Sequence, residues 1–345
     1  NLPSIVYLNG EYWGIHNIRE KYDKHYFKTY FHIQENNINI LKLCGEVEEG
    51  NNSEYVELLD YIKSNDLKDS IVFDYVKSRI DILNLIDYHI MELYFANYDW
   101  PCNNVKLWKS NNDNSMWRYL VYDLDFSFGE SDLTAFNTHS FEHATSNGGT
   151  WPYCECSNFI FSRLLKNQDF SEYFVERFSY HLENTFNQSK MLSLLNKYET
   201  KYELEIQEHI GRWGYPKNIE AWKYEVERMR IFAQNRSCYV KRNIEDYLGV
   251  NIEYDCENLL PRSSQKNLLR IFPNPSSNTV TIEYDGYHAN STYKIINDLG
   301  QIITGDIVEE YPFQLDVSSL EDGIYVVMTD SGNLIHTGKM VILNK

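Results

Sequence analysis

The chain has 345 residues, of which 32 are basic and 50 acidic, giving a net charge of −18. At roughly 100–200 residues per domain, that length suggests two or three domains; with 43% apolar and 15% aromatic residues, 28 of them Tyr, the bulk of the chain cannot be intrinsically disordered. The acidity argues against a general nucleic-acid binder or docking on an anionic membrane, and no apolar run of about 18 residues is available to span one.

In chain order, Ile5 to Arg19 alternates around Asn9-Gly10, which predicts a two-stranded hairpin, because both turn positions need positive φ. Glu20 to Phe31 turns helical and aromatic. Residues 33–53 read as a short strand and an acidic loop with Glu46, Glu48, Glu49 and Gly50. Val56, Leu58, Leu59 and Ile62 predict one amphipathic helix; Ile80, Leu83, Ile86, Ile90, Leu93 and Tyr94 predict a longer one, stopped before Pro101. Two strands follow, Asn104–Trp108 and Trp117–Tyr122. Residues 131–157, rich in Ser, Thr, Asn and Gly, read as a long loop. Residues 158–248 are helical, with Phe159, Leu164, Leu165, Phe170, Phe174 and Phe178 on apolar faces and Trp213 and Trp222 as core anchors. A polar linker is expected at 256–267. Beyond it, short alternating strands are punctuated by turns at Pro273-Asn274-Pro275, Leu299-Gly300, Asp322-Gly323 and Ser331-Gly332, the pattern of a small β-sandwich.

The fold class is therefore α+β: a mostly helical domain with a small sheet over 1–255, then an all-β, Ig-like sandwich over 268–345. Residue 1 is Asn and no charged-then-apolar leader follows. A chain that opens inside a hairpin is expected to be part of a longer one whose signal peptide lies upstream. Six cysteines, at 44, 102, 154, 156, 238 and 256, form no C-x-x-C pair, and Cys154-Glu155-Cys156 is too tight for a zinc knuckle. A mixture of free and paired thiols is expected.

The densest carboxylate set is Asp99, Asp123 and Asp125. Asp99 follows a helix and is trailed by Asn103 and Asn104; Asp123 and Asp125 end an apolar strand. Two carboxylates spaced by one residue on extended backbone share a face. Hard oxygen ligands on one face, opposite a further Asp and an Asn, suit Mg²⁺. The plainer reading is that these residues shape turns. Asp99-x-x-x-x-Asn104 has the spacing of a kinase catalytic loop, and Asp123 lies where a kinase places its metal-binding Asp. An EF-hand is excluded, since Gly129 falls one place late and no Glu occupies the twelfth position. His139-Ser140-Phe141-Glu142-His143 matches H-x-x-E-H, but its flanks are loop-like, so surface or substrate-loop histidines are expected rather than a zinc protease.

Three segments in the same order carry a resemblance: Val6–Ile15 with Arg19-Glu20, Asn97-Tyr98-Asp99 through Asn104, and Tyr122–Gly129. Over about 1–250 the chain resembles the spore-coat-protein-H-type (CotH) kinase family, as do Arg212-Trp213 and Trp222. The resemblance implies an atypical, reduced protein-kinase-like fold. It also implies use of ATP with Mg²⁺ or Mn²⁺ to phosphorylate Ser or other hydroxyls of secreted proteins. Carried over by motif, Asp99 is the catalytic Asp and Asp123 the metal ligand. Asp125 is a second metal candidate, Asn104 a cofactor-binding candidate, and Glu20 a partner for a nucleotide-binding cation. The family's phosphate-clamping small lobe begins upstream of residue 1, with Lys42 the nearest lysine, so this stretch alone is expected to be inactive.

Phe272–Asn278, Asp298-Leu299-Gly300-Gln301, Leu320 through Tyr325 and Gly338–Ile342 resemble the type IX secretion C-terminal sorting domain. Gly300 and Gly323 are expected at turn positions needing positive φ. The resemblance implies export by the type IX machinery, removal of the domain by its sortase, and lipopolysaccharide anchoring at the surface. Two other functions stay open. A non-catalytic surface scaffold binding glycan or protein is favoured by the scarcity of ATP outside cells. A carboxylate-pair hydrolase would use Asp99 with Asp123.

Overall fold

The computed structural model describes residues 2–112, 114–129, 134–146, 149–150, 153–256, 269–284, 291–297, 300–308, 310–330 and 335–343. It divides into two compact units, Asn1–Glu205 with Arg228–Tyr254, and Ile206–Glu227 with Asp255–Lys345.

The first unit opens on the antiparallel hairpin β1 (Leu2–Leu8) and β2 (Glu11–Ile18). Asn9 and Gly10 have φ of 52° and 86°, the left-handed pair that a tight hairpin turn requires. Helix α1 (Lys24–Phe31) is capped by Asp23, whose carboxylate accepts from the His25 and Tyr26 amides. A four-stranded antiparallel sheet follows from β3 (Ile38–Lys42), β4 (Glu46–Glu49), β5 (Lys106–Ser110) and β6 (Arg118–Leu120), in the order β4-β3-β5-β6. The acidic segment expected as a loop is thus the edge strand β4. Its charges are compatible with a sheet edge because Glu49 pairs with Lys24 at 3.2 Å and Glu48 with Lys106 at 2.8 Å.

Three helices lie between β4 and β5: α2 (Ser53–Ser64), α3 (Ser70–Arg79) and α4 (Ile82–Phe95). The stripe of α2 is Tyr55, Leu58 and Ile62, and Val56, expected on it, is exposed. Treating Tyr as apolar rotates the stripe to this face. Ile80 lies outside α4, bridged to Trp117, and Leu83 is exposed. Helix α4 is buried nearly all round, through Leu85, Ile86, Tyr88, His89, Ile90, Glu92, Leu93 and Tyr94, so it runs through the core rather than along its surface.

The stretch expected as one loop over 131–157 contains a 3-10 turn (Ala135–Asn137), α5 (Ser140–Thr145), the paired β7 (Gly149–Thr150) and β8 (Tyr153–Cys154), and the start of α6 (Glu155–Leu164). Tertiary burial of Phe141 and Ala144 holds α5, which is too short to persist alone. Helices α7 (Gln168–Asn184) and α8 (Gln188–Glu203) follow; Phe170, Phe174, Phe178 and Leu182 bury one face of α7 at four-residue spacing. Cys44 and Cys156, 112 residues apart, form a disulfide, and Cys102, Cys238 and Cys256 are disulfide-bonded as well. Linear spacing had suggested some free thiols, but it says nothing about which Cα atoms the fold brings together; those of Cys44 and Cys156 lie 5.3 Å apart.

His89 supplies a pH prediction. Its ring is fully buried, its Nδ1–H donates to the Leu85 carbonyl at 2.7 Å, and it stacks on Phe161 at 4.0 Å. Burial pulls its pKa down to about 4 from an ordinary 6.5. Between those values the unfolded chain binds the proton and the folded one does not, so stability falls as pH drops from 6.5 to 4, by about 3 kcal/mol. Denaturation midpoints over that range are expected to decline in the natural chain and to flatten in His89→Phe.

In the second unit, helix α9 (Ile206–Trp213) and the first residues of α10 (Ile219–Leu248) accompany seven strands: β9 (Arg270–Phe272), β10 (Thr279–Glu283), β11 (Thr292–Asn297), β12 (Ile302–Ile307), β13 (Phe313–Asp316), β14 (Gly323–Asp330) and β15 (Ile335–Ile342). They form antiparallel sheets in the orders β13-β10-β9 and β12-β11-β14-β15. The core draws on both through Val280, Ile282, Leu315, Val327, Met340 and Ile342. Gly300 has φ 76°, as its turn requires, whereas Gly323 opens β14 without positive φ, so no left-handed turn demands glycine there. Trp213, expected in the core, is 47% exposed at the end of α9, with the Arg212 guanidinium 5.4 Å from its ring; Trp222 is half-buried. The linker over 257–267, Leu299 and the Ser331-Gly332 turn lie outside the described residues.

Candidate active site

Two loops of the first unit meet at the end of α4. The helix stops where Ala96 adopts left-handed backbone, φ 50°, and its amide closes on the Glu92 carbonyl. The chain then turns into the loop 97–104. Asn97, buried, donates through Nδ2 to Glu92 Oε2 at 2.9 Å and accepts the Asp99 amide on Oδ1 at 3.3 Å. Trp100 is buried, its indole N–H on the Tyr88 hydroxyl at 2.9 Å. The Asp99 carboxylate accepts from Asn103 at 2.6 Å and from Asn104 at 3.3 Å.

Strand β6 ends at Leu120, short of the strand expected to Tyr122, and Asp123 is left-handed rather than extended, φ 56°. The one-residue spacing to Asp125 therefore does not act through a strand face. The second loop runs on to Phe128 and Gly129 at 60° and 90°. Backbone bonds tie it to the first loop, from Tyr98 N to Phe126 O, and to the end of α4, from Phe128 N to Phe95 O, each 2.9 Å. The Asn104 amide group spans both loops, reaching Asp99 Oδ2 and, at 3.1 Å, the Asp123 carbonyl. Asn104 is itself left-handed, φ 60°. The Asp123 carboxyl is pushed up, by burial first and then by repulsion from Asp125 and Asp99, against the attraction of Arg19. Of the residues singled out from sequence, Asp99, Asn104, Asp123 and Asp125 therefore come together. Glu20 is engaged elsewhere, accepting a short hydrogen bond from the Tyr30 hydroxyl.

Sequence reasoning passed over three charged residues around these loops. Arg19 lies in the quoted motif but had no role; it opposes the carboxylate charge at Asp123. Lys106 is buried on β5, 2.8 Å from Glu48, with its ammonium donating to the Tyr22 carbonyl at 3.3 Å and lying 5.3 Å from the Tyr122 ring. Its signal was a lone charge inside the apolar run Val105–Trp108. Glu92 is buried one turn before the loop it supports. The histidines of H-x-x-E-H serve the fold: His139 Nδ1 accepts the Glu142 amide as the cap of α5, and the His143 ring meets the Trp100 carbonyl. Among the described residues, no group of three or more His, Cys, Asp or Glu is arranged to hold a metal ion.

Residues 2–240 match the family model described as CotH kinase protein, and residues 270–343 match the secretion system C-terminal sorting domain. A search of curated proteins returns no match. The second match identifies a type IX secreted or cell-surface protein and implies contact with the secretion machinery. Among the described residues no helix is long and apolar enough to cross a membrane. With most of its length covered by the first match, the chain belongs to the CotH kinase family.

Proposed function

We propose that this chain belongs to a secreted phosphotransferase that moves the γ-phosphoryl group of ATP to Ser or other hydroxyls of surface or secreted proteins, with Mg²⁺ or Mn²⁺. The observation that carries the reading is the double contact of Asn104, which fixes the Asp99 loop against the Asp123 loop. Asp99 receives or orients the acceptor hydroxyl, and Asn104 holds it in place. Asp123 and Asp125 are the metal ligands. Their crowding, which raises the Asp123 carboxyl, is relieved by a cation. Mg²⁺ is commonly held by one or two carboxylates plus substrate phosphates, so this donor set fits an ion that arrives with a nucleotide rather than an all-protein cage. Bound there, the metal supplies the positive charge that ATP needs next to an acidic chain. Glu20 is a weaker nucleotide-side candidate, since Tyr30 already occupies one of its oxygens. The sorting domain would be cut off by a sortase after export and the protein anchored on lipopolysaccharide.

The test is incubation of the full-length gene product with labelled ATP and either metal. Label is expected on the protein or on a co-secreted partner, reduced about 100-fold or more in Asp99→Asn and lost in Asp123→Ala. An intact protein that binds no ATP would sink the reading and favour a non-catalytic surface scaffold.

A further inference from the structure

Behind the Asp99 loop lies a cavity of about 20 Å³, lined by Glu92, Asn97, Tyr98, Trp100, Ser140 and His143 among others. It has room for about one water. Glu92 is 1% exposed and sits in the last turn of α4, where the negative end of the helix dipole opposes a carboxylate. Its Oε2 accepts from Asn97, while its buried Oε1 has no hydrogen-bond partner among the described residues. A neutral acid suits this position, and its O–H can donate to a cavity water.

We propose that Glu92 is a positioning residue for Asp99: its buried Oε2 holds the Asn97 side chain, and Asn97 in turn holds the Asp99 amide. The functional weight of this relay rests on reading Asp99 as the acceptor-facing carboxylate. Asn97 uses both ends of its amide, so its orientation is fixed only while Glu92 offers an acceptor.

Burial pushes the Glu92 carboxyl up to about 8, against the pull of Asn97 and the nearby Tyr88 hydroxyl. The unfolded chain releases this proton near 4.5 and the folded chain near 8, so raising the pH between those values favours opening. The groups facing it are Tyr88 on its own helix, Tyr98 on the loop, Tyr122 after β6 and His143 on α5. Arg236 on α10 adds its guanidinium, bonded to the Ser140 hydroxyl that lines the same cavity. Burial lowers His143 below the ordinary imidazole value and pushes Tyr88 and Tyr122 up, and it brings Arg236 down to about 9, still protonated at pH 8.

Hydrogen–deuterium exchange of segment 97–104 in the full chain tests the relay, corrected for intrinsic rates from pH 6 to 9. The natural chain is expected to lose protection as the pH rises from 6 toward 8, by about tenfold or more in total, and to level off above 8, where the folded and opened forms are both ionised. Glu92→Gln, which cannot ionise but still accepts from Asn97, is expected to stay flat. Glu92→Leu is expected to exchange about tenfold faster at every pH. Equal protection in the Leu variant, or a decline from pH 6 toward 8 that persists in the Gln variant, overturns the proposal. The readout involves no ATP. If exchange follows the expected pattern while Asp99→Asn leaves ATP labelling unchanged, the relay stands and the kinase reading falls.

Discussion

Arg236→Met is expected to destabilise the first unit by about 4–5 kcal/mol, at the top of the range for a single substitution. Arg236 is 0% exposed on α10 and has no carboxylate among its hydrogen-bond acceptors. Its guanidinium donates to the carbonyls of Leu93 at 2.6 Å and Tyr94 at 2.7 Å, at the end of α4. It also reaches those of Phe136 at 2.9 Å and Thr138 at 2.8 Å, and the Ser140 hydroxyl at 2.5 Å. The planar fork thus joins the carbonyl end of α4, favoured for a cation by the helix dipole, to the 136–140 segment. Met fills the volume but withdraws the donor from the Leu93, Tyr94 and Phe136 carbonyls, each costing about 1–3 kcal/mol before relaxation, whereas the Thr138 carbonyl keeps Asn243 Nδ2 at 2.8 Å and the Ser140 amide at 3.0 Å. Arg236→Lys keeps the charge but loses the fork, and an intermediate loss is expected. Urea midpoints read by tryptophan fluorescence give the comparison; equal midpoints for Met and the natural chain would refute the account.

Removing the Cys44–Cys156 bridge by a double Ala substitution is expected to cost about 4–5 kcal/mol, the chain-entropy figure for a loop of about 100 residues. The bridge spans 112 residues, from the turn after β3 to helix α6, and so encloses α2, α3, α4, β5 and β6 with both candidate loops. Cutting it frees all of these in the unfolded chain at once. Reducing the natural chain also opens the bridges at Cys102, Cys238 and Cys256, so a loss at least as large is expected there. A loss under about 1 kcal/mol in either would show that the unfolded chain already keeps this loop closed. Oxidised cysteines accord with an exported protein, since thiols inside the cell are kept reduced.

Local chemistry was readable in the sequence, and long-range chemistry was not. Asn9-Gly10 announced the first hairpin because its turn needs positive φ at both positions. Phe170, Phe174 and Phe178 announced α7 because their spacing matches the helical turn. The carboxylate loops were legible through residue type and spacing, and Asn104 meets both. Glu46–Glu49 misled because pairing partners Lys24 and Lys106 lie far away in the chain. Trp213 misled because a large aromatic ring is equally compatible with a core and with an Arg-covered helix end. Glu92 and Arg236 looked like the polar faces of ordinary helices. Their burial follows from what packs around α4 and α10, which no local pattern encodes.

Ala96, Asn104, Asp123 and Phe128 share one backbone feature, positive φ without a glycine, and all four lie in or directly beside the two loops that carry Asp99 and Asp123. Such a conformation costs an ordinary residue about 1–2 kcal/mol. These loops are therefore held against their own preference by the surroundings, and a peptide copied from them would not keep their shape. Any loosening of the surroundings releases that opposition first at the carboxylates. Loss of the site's geometry is therefore expected to precede loss of the fold.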